Sequence, residues 1–290
     1  MPEHFLDIND HDPAWLAAVL ERGTALKAKN EPELLRGKTL AMVFEKPSLR
    51  TRVSFETGML QLGGHALNIR PDEVGLGKRE PAKDVARVLS GMVDGVMARL
   101  FDHATLRELA DFATVPVING LTDYNHPCQA LADVMTIQEH FGKLDGLTVA
   151  WVGDGNNVAR SMASACHALG MRFVCATPPG YELPTGDVGF TSTHDPVEAV
   201  READVVYTDT WISMGQEAEK AERVREFGAF CVDEALLDKA PKHAVVLHCL
   251  PAYRGLEISD TVMESDRCLA FPQAHNRLHA QKGVLATLLG

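Results

Sequence analysis

The sequence predicts an α/β protein of two domains, each a parallel sheet flanked by helices, with further helices joining the domains. Short apolar runs typical of β-strands alternate with helical stretches along the whole chain. Such alternation is typical of parallel sheets that are covered by helices on both faces. The length of 290 residues fits two domains of about 150 residues each. The polar segment 142–146, with a glycine at each end, is the predicted boundary.

Strands and helices are predicted on both sides of this boundary. Before it, strands are predicted at 39–44, 95–100 and 115–118, and helices at 53–63, 106–113 and 129–141. After it, strands are predicted at 147–152, 171–176, 205–208, 229–232 and 244–247, followed by a final helix at about 276–289. The strands are short apolar runs, and the helices carry apolar residues on one side. Segment 71–83 has no apolar period, and a mobile loop is expected there.

Composition excludes several classes of protein. Apolar residues make up 46% and charged residues 23%, so the chain is not disordered as a whole. Lys plus Arg is 28 and Asp plus Glu is 40, and the net charge of −12 argues against a nucleic-acid partner. A small anion can still bind to a local group of arginines.

The expected location is the cytoplasm, without a membrane partner. No apolar run approaches the roughly 18 residues that span a bilayer, and the N-terminal segment MPEHFLDINDHD has no targeting pattern. None of the six cysteines forms a C-x-x-C pair, so reduced thiols are expected rather than disulfides or a zinc site.

The segment 46–52 (KPSLRTR) has the features of an anion site. It lies between a predicted strand and a predicted helix, and it offers the hydroxyls of Ser48 and Thr51 and the guanidinium groups of Arg50 and Arg52. Helix N-termini bind phosphate through free N–H groups and the helix dipole, and arginine adds bidentate hydrogen bonds. The alternative is an ordinary helix cap with solvated arginines. Two hydroxyls and two arginines at one junction favour the anion site.

The segment 153–158 (GDGNNV) resembles the dinucleotide fingerprint G-x-G-x-x-G only in part. Val158 stands at the third glycine position, and the next predicted strand ends without the acidic residue that would bind a ribose. We interpret the segment as a tight turn that presents Asn156 and Asn157, and not as a nicotinamide site.

Polar residues also follow other predicted strands, where open parallel sheets bind their ligands. The four groups are Arg99, 126–129 (HPCQ), 209–214 (DTWISM) and 248–251 (HCLP). Each has an ordinary alternative, as a surface arginine, a helix cap, a turn residue or a buried thiol. Their shared position at strand ends favours function.

Metal and cofactor chemistry is not expected. His275 and His279 are four residues apart on the final helix, but the H-E-x-x-H pattern is missing and Arg277 lies between them. Neither a nucleophile elbow nor a Walker A lysine motif occurs in the sequence.

Together these motifs resemble the aspartate/ornithine carbamoyltransferase family almost from end to end. Segment 44–56 is similar to its carbamoyl-phosphate loop, and 125–129 is similar to its H-P-x-Q carbamoyl-oxygen site. Segments 209–215 and 248–251 resemble motifs of its ornithine branch, and 276–279 resembles its C-terminal arginine motif.

The resemblance implies a role for each matching residue. Arg99, His126 and Cys249 would be catalytic, with Cys249 the proposed proton acceptor. Carbamoyl phosphate would be bound by Ser48, Leu49, Arg50, Thr51, Arg99, His126, Gln129, Cys249, Leu250 and Arg277, with Leu49, Cys249 and Leu250 acting through their backbone. L-Ornithine would be bound by Asn157, Asp209, Ser213 and Met214.

The resemblance also implies an activity and an organisation. The expected reaction transfers the carbamoyl group of carbamoyl phosphate to the δ-amine of L-ornithine, giving L-citrulline and phosphate in arginine metabolism. Residues 1–140 would bind carbamoyl phosphate, 146–270 would bind ornithine, and 271–290 would form a helix that packs back on the first domain. A homotrimer, or a multiple of trimers, is expected.

Alternatives remain at this point. The amine could instead be N-acetylornithine or putrescine, or the chain could be a catalytically weak homologue that binds carbamoyl phosphate. The second alternative is suggested by Leu49, where the family usually has Thr, and by Gly75, where it often has Gln. Both departures remove a side-chain hydrogen bond to carbamoyl phosphate, so they are expected to affect its affinity more than the type of reaction.

Overall fold

The computed structural model describes residues 2–76, 79–184, 186, 188–213, 215 and 217–290. The chain divides into two compact units. Unit 1 comprises Met1–Met135 and His275–Gly290, and unit 2 comprises Thr136–Ala274. Both unit boundaries fall inside helices, α6 (Pro127–Phe141) and α12 (Ala270–Leu289).

Unit 1 is built on a parallel sheet of four strands in the order β2-β1-β3-β4. The strands are β1 (Thr39–Phe44), β2 (His65–Ile69), β3 (Gly95–Arg99) and β4 (Val117–Leu121). Its remaining helices are α1 (Pro13–Ala28), α2 (Leu49–Gln61), α3 (Pro71–Val74), α4 (Ala82–Ser90) and α5 (His103–Phe112), with a 3-10 turn at Ile8–Asp10. The central strands β1 and β3 are apolar and almost wholly buried, as expected for a parallel sheet with both faces covered.

Unit 2 is built on a parallel sheet of five strands in the order β7-β6-β5-β8-β9. The strands are β5 (Thr148–Val152), β6 (Arg172–Ala176), β7 (Thr191–Thr193), β8 (Val205–Thr208) and β9 (Val245–His248). Its helices are α7 (Asn157–Ala168), α8 (Pro196–Val200), α9 (Lys220–Glu226), α10 (Glu234–Leu237) and α11 (Asp260–Met263), with 3-10 turns at Glu217–Glu219 and Gly228–Phe230. Strands β5 and β8 are fully buried, and alanines and aliphatic residues of the surrounding helices pack around them.

The C-terminal part of α12 packs closely against α1. A Cβ on Gly283 would lie 2.4 Å from the carbonyl oxygen of Val19, and a Cβ on Gly23 would lie 2.8 Å from that of His279. Both distances are too short for a side chain, so the two glycines allow the helix backbones to approach. Lys282 then donates to the carbonyl of Leu26 at 2.9 Å, which fixes the position of α12 along α1.

The predicted fold class, two parallel sheets flanked by helices, is confirmed. The strands β2 and β7 were not predicted from the sequence, because they are short edge strands whose residues are mostly exposed or half-buried. None of the helices in the described part of the chain combines the length and the apolar character needed to span a bilayer.

Two local predictions are wrong. The expected strand at 229–232 is instead the 3-10 turn Gly228–Phe230, and only Val232 forms an isolated bridge, to Ile258. Phe230 and Val232 of this segment are buried in the core of unit 2 without joining the sheet. The expected loop at 71–83 contains α3, which has Pro71 at its start and in which Glu73 accepts the N–H of Arg70 at 2.6 Å. Gly77 and Lys78 of this segment lie outside the described residues.

Candidate active site

Helix α2 begins at Leu49, earlier than the predicted 53, so residues 49–52 of the segment 46–52 form its first turn and residues 46–48 precede it. Ser48 is the N-cap, and its Oγ accepts the N–H of Thr51 at 3.2 Å. The first turn of α2 therefore has free N–H groups at its N-terminus, where an anion is favoured. Leu49 is the first residue of the helix, and its side chain is 74% exposed. Arg52 lies on the exposed side and pairs with Glu56 at 3.3 Å.

His126 lies in unit 1, where the charges of three arginines act on its imidazole. It is buried between the end of β4 and the start of α6. Burial, followed by the positive charges of Arg277, Arg99 and Arg50, lowers the pKa of His126 well below its ordinary value of 6.5. The imidazole is therefore neutral at pH 7, and it can donate one hydrogen bond and accept another. We call Arg50, Arg99 and Arg277 the arginine cluster.

The arginine cluster brings together residues from three separate parts of unit 1. Arg99 is the last residue of β3, Arg50 is in the first turn of α2, and Arg277 is on α12. Three guanidinium groups around a neutral imidazole suit a small dianion such as a phosphate group, because arginine forms bidentate, charge-assisted hydrogen bonds.

Arg277 is the centre of a buried chain of hydrogen bonds. Its guanidinium donates to Gln129 Oε1 at 2.7 Å, to Thr51 Oγ1 at 3.1 Å and to Gln281 Oε1 at 2.9 Å. Gln129 donates through Nε2 to Asp133 Oδ1 at 2.8 Å. The amide nitrogen of Gln129, which could have bound a carbamoyl oxygen, is thus directed at Asp133. The amide oxygen of Gln129 faces Arg277.

Several supporting residues in unit 1 were missed by sequence reasoning. Gln281 donates to Ser54 Oγ at 2.8 Å, and Ser54 donates to the carbonyl of Arg50 at 2.6 Å, so the start of α2 is connected to α12. Lys46 is buried in an ion pair with Asp123, over the ring of Phe101 at 4.3 Å. The only signal available for Lys46 was its place at the start of the KPSLRTR segment.

Buried amides support the loop before His126. The carbonyl of Leu6 accepts from Asn119 Nδ2 at 2.9 Å and from Asn125 Nδ2 at 3.1 Å. Asn119 also donates to Asn125 Oδ1 at 2.6 Å. The N-terminal segment, which bridges β4 through Phe5 and Ile118, therefore anchors the residue that precedes His126.

In unit 2, Asp209 follows β8 and accepts hydrogen bonds at both carboxylate oxygens. Oδ1 accepts from Cys249 Sγ at 2.9 Å and from the N–H of Thr210 at 2.8 Å. Oδ2 accepts from Asn156 Nδ2 at 2.8 Å. The ends of β8 and β9 and the start of α7 thus meet at one carboxylate, which is largely buried.

The segment 153–158 is a tight strand-to-helix turn, as predicted. Asn156 is the N-cap of α7, and Asn157 is its first residue. A Cβ on Gly155 would lie 2.3 Å from the backbone nitrogen of Leu183, so only glycine fits this close approach. Asn156 Nδ2 contacts Asp209, and Asn157, the residue predicted to bind the amino-acid substrate, is the next residue along the helix.

An ion pair between Arg223 and Asp154 stabilises the same strand-to-helix turn. Arg223 of α9 donates to Asp154 Oδ2 at 3.0 Å, to Glu219 Oε2 at 2.8 Å and to the carbonyl of Trp211 at 2.9 Å. Burial raises the pKa of Asp154 to about 6, although Arg223 opposes this shift. Arg223 therefore connects α9 to the turns that follow β5 and β8.

The segment 248–251 leaves β9 in an unusual conformation. Leu250 has a φ of 59° and a cis bond to Pro251. His248 Nδ1 accepts the N–H of Leu250 at 2.9 Å, and Nε2 lies 3.1 Å from Glu257 Oε1. These partners assign a neutral imidazole with its proton on Nε2. A leucine in the left-handed region is strained, and such strain is concentrated at functional sites.

One group of described residues brings together three metal-ligating atoms. Asp209, His248 and Cys249 place a carboxylate oxygen, an imidazole nitrogen and a sulfur within 4.8 Å of one another. Both ring nitrogens of His248 already have partners, and Cys249 donates to Asp209. The trio is therefore satisfied by internal hydrogen bonds. His275 and His279, by contrast, lie on α12, where His275 is exposed.

The structure divides the predicted binding residues between the two units. Unit 1 contains Ser48, Leu49, Arg50, Thr51, Arg99, His126, Gln129 and Arg277, and unit 2 contains Asn157, Asp209, Ser213, Cys249 and Leu250. Hydrogen bonds join Arg277 to Gln129 and Thr51, and Cys249 to Asp209. The side chain of Leu49 is directed to solvent, and Met214 lies outside the described residues.

Comparisons with known proteins agree along the whole chain. A family model described as "Aspartate/ornithine carbamoyltransferase, carbamoyl-P binding domain" matches residues 3–139. A second model, described as "Aspartate/ornithine carbamoyltransferase, Asp/Orn binding domain", matches residues 145–288. A relative from Haloquadratum walsbyi, named ornithine carbamoyltransferase, is 52% identical over 294 residues, which cover 99% of this chain and 97% of the relative.

Solved structures of similar proteins have the same fold. The ornithine carbamoyltransferase of Pyrococcus furiosus has a TM-score of 0.95 at 48% identity, covering 99% of this chain and 97% of that one. The corresponding structure from Thermus thermophilus has a TM-score of 0.94 at 44% identity, covering 100% of both chains. The resemblance inferred from the sequence motifs is confirmed, and the chain belongs to the aspartate/ornithine carbamoyltransferase family.

Proposed function

We propose that the protein transfers the carbamoyl group of carbamoyl phosphate to the δ-amine of L-ornithine, giving L-citrulline and phosphate. The observation that carries this proposal is the arginine cluster around a neutral, buried His126. Relatives that share about half of its residues over nearly the whole chain are named for this activity. No cofactor is needed for the reaction.

The arginine cluster suits the charge that develops during the reaction. The neutral δ-amine attacks the carbamoyl carbon, a C–N bond forms, and the C–O bond to phosphate breaks. Negative charge grows on the departing phosphate, where Arg50, Arg99 and Arg277 would stabilise it. A neutral His126 would donate to the carbamoyl oxygen without competing with the arginines for the anion.

The residues of unit 2 suit an amino acid that carries a free α-ammonium group. Asp209 supplies a carboxylate for that ammonium, and Asn157 and Ser213 supply polar side chains for the rest of the amino-acid end. Cys249 would lie beside the reacting amine. The departing phosphate would take the amine proton, or the sulfur of Cys249 would take it after the thiol proton has passed to Asp209. Positioning of the two substrates then supplies much of the rate.

The proposal extends to the individual residues, the assembly and the location. Ser48, Thr51, Gln129 and the backbones of Leu49, Cys249 and Leu250 would complete the carbamoyl-phosphate site, and Met214 the ornithine site. The domain limits proposed are 1–140, 146–270 and 271–290. The family resemblance supports a homotrimer or a multiple of trimers. The six free thiols are compatible with the reducing cytoplasm.

A panel of amines tests the proposed substrate. Purified protein is incubated with carbamoyl phosphate and either L-ornithine, N-acetyl-L-ornithine or putrescine, and the ureido product is measured colorimetrically. We expect the highest kcat/KM with L-ornithine and equal amounts of citrulline and phosphate. A higher kcat/KM with either other amine would contradict the proposed substrate. Thermal stabilisation by carbamoyl phosphate without turnover of any amine would identify a binding homologue instead.

A further inference from the structure

Asp133 is a buried carboxylate that touches a proposed ligand-binding side chain. It lies on α6, four residues after Gln129, and it is fully buried. Its Oδ1 accepts from Gln129 Nε2 at 2.8 Å, while Gln129 Oε1 accepts from Arg277 at 2.7 Å. The amide of Gln129 is therefore held between a carboxylate and a guanidinium group.

Asp133 and Arg277 fix the orientation of the Gln129 amide between them. A carboxylate only accepts hydrogen bonds, and a guanidinium group only donates them. If the Gln129 amide turned over, its oxygen would face Asp133 and its NH2 would face Arg277. Both hydrogen bonds would be lost in a buried environment, which is strongly unfavourable. The amide oxygen of Gln129 therefore stays on the side of the arginine cluster.

An oxygen fixed in this way selects for a donor on the ligand. A carbonyl oxygen has two lone pairs, and the bond from Arg277 uses one of them. The hydrogen bond that Gln129 donates to Asp133 also polarises the amide, which makes its oxygen a stronger acceptor. Carbamoyl phosphate has an NH2 group that can donate to this oxygen, whereas acetyl phosphate has a methyl group at the same position.

We infer that Asp133 is a positioning residue that holds the oxygen of Gln129 toward the substrate and thereby makes the site prefer carbamoyl phosphate to acetyl phosphate. The inference rests on the proposed function, because it takes carbamoyl phosphate as the ligand. Asp133 itself does not contact the substrate, so its effect must appear as a change in ligand preference and not only as a loss of stability.

The test measures binding, so that it does not depend on turnover. The dissociation constants of carbamoyl phosphate and acetyl phosphate are measured by calorimetry for the wild type, Asp133→Leu and Asp133→Asn. We expect the preference for carbamoyl phosphate to fall about tenfold in Asp133→Leu, the scale of one hydrogen bond, with little change for acetyl phosphate. Asp133→Asn keeps an acceptor and should retain most of the preference.

A matched control separates positioning from stability. Asp94→Leu removes a partly buried carboxylate of unit 1 that accepts the N–H of Thr39 at 2.8 Å, at the end of the sheet where β1 and β3 begin. The Asp94→Leu substitution should lower the melting temperature without changing the preference for carbamoyl phosphate over acetyl phosphate. Equal weakening of both ligands in Asp133→Leu, an unchanged preference, or equal losses in the Asn and Leu variants would each overturn the inference.

Asp133→Ser decides the matter if Asp133→Leu does not fold. The serine side chain is shorter than the carboxylate that accepts from Gln129 Nε2, so the acceptor that fixes the amide is withdrawn. We expect the preference for carbamoyl phosphate to fall as in Asp133→Leu, and an unchanged preference in folded Asp133→Ser would overturn the inference. Failure of the proposed function is distinguished by the wild type, which would then yield no citrulline whatever the binding results.

Discussion

Cys249 donates its thiol proton to Oδ1 of Asp209 across 2.9 Å, and this bond joins the segments that follow two neighbouring strands of unit 2. The same carboxylate is held by Asn156 through its other oxygen. Asp209 is therefore oriented before any ligand binds, and Cys249 is one of the groups that orient it. A role for Cys249 in positioning is thus supported independently of any role as a base.

We expect Cys249→Ser to lower kcat and raise KM for ornithine without abolishing turnover. A serine hydroxyl can still donate to Asp209, and the departing phosphate can take the amine proton in place of the sulfur. Cys249→Ala loses the donor and should raise KM for ornithine further. Initial rates over a range of ornithine concentrations measure both effects, with Cys268→Ser as a control for a half-buried thiol elsewhere in unit 2. Complete inactivity of a folded Cys249→Ser variant would show that the thiol is essential.

Arg50 and Arg52 provide a matched pair for testing the phosphate loop. Arg50→Lys keeps the charge but loses the bidentate geometry, and we expect a loss of about 2 kcal/mol in transition-state stabilisation, measured as kcat/KM for carbamoyl phosphate. Arg52 pairs with Glu56 on the exposed face of α2, so Arg52→Lys should change this value by less than about twofold. Equal effects of the two substitutions would show that Arg50 does not bind carbamoyl phosphate.

Asp154 should make the stability of the protein depend on pH. Its pKa is raised to about 6 from 3.8, chiefly by burial. A carboxyl with a raised pKa binds more protons in the folded state, so its contribution is fully present below about pH 4 and is lost as pH rises through about 6. Relative to Asp154→Asn, the wild type should lose about 2–3 kcal/mol of unfolding free energy between pH 4 and pH 7. Denaturant unfolding of both proteins over this range measures the difference, and a difference that is constant or grows with pH would contradict the expectation.

Leu49→Thr should tighten the binding of carbamoyl phosphate. Leu49 begins α2 and its side chain is 74% exposed, so the substitution loses little packing and adds a hydroxyl at the N-terminus of the helix. One hydrogen bond corresponds to about 0.5–1.5 kcal/mol, or several-fold in affinity. Leu60, also 74% exposed near the other end of α2, is the control, since Leu60→Thr should not change this affinity. Weaker binding by Leu49→Thr would show that the leucine makes a favourable contact with the ligand.

The strand ends were the part of the site that sequence reasoning could predict. The ends of buried parallel strands are visible as the points where an apolar run stops, and Arg99, Asp209 and Cys249 were found in this way. The contact between Asn156 and Asp209 was not predicted, because the two residues are 53 positions apart and the sequence does not show which side chain an N-cap residue contacts.

The supporting interactions could not be predicted, because they join residues far apart in sequence. Asp154 and Arg223 are 69 residues apart, and each one alone is an ordinary charged residue in the sequence. Asp133 is only four residues from Gln129, but its importance depends on burial and on the guanidinium group on the other side of the amide. The edge strands β2 and β7 carry no continuous apolar run, so their existence depends on the neighbours with which they pair.

The distance in sequence between Arg277 and Thr51 has a consequence for synthesis of the protein. The two residues are 226 positions apart and are joined by a buried hydrogen bond. During translation, the strands of unit 1 and the first turn of α2 leave the ribosome long before α12 is made. The arginine cluster therefore lacks one member, and Gln129 lacks its guanidinium partner, until the last helix has been synthesised and has docked. Such non-local contacts slow folding, and an incomplete chain that stops before α12 cannot form the complete anion site.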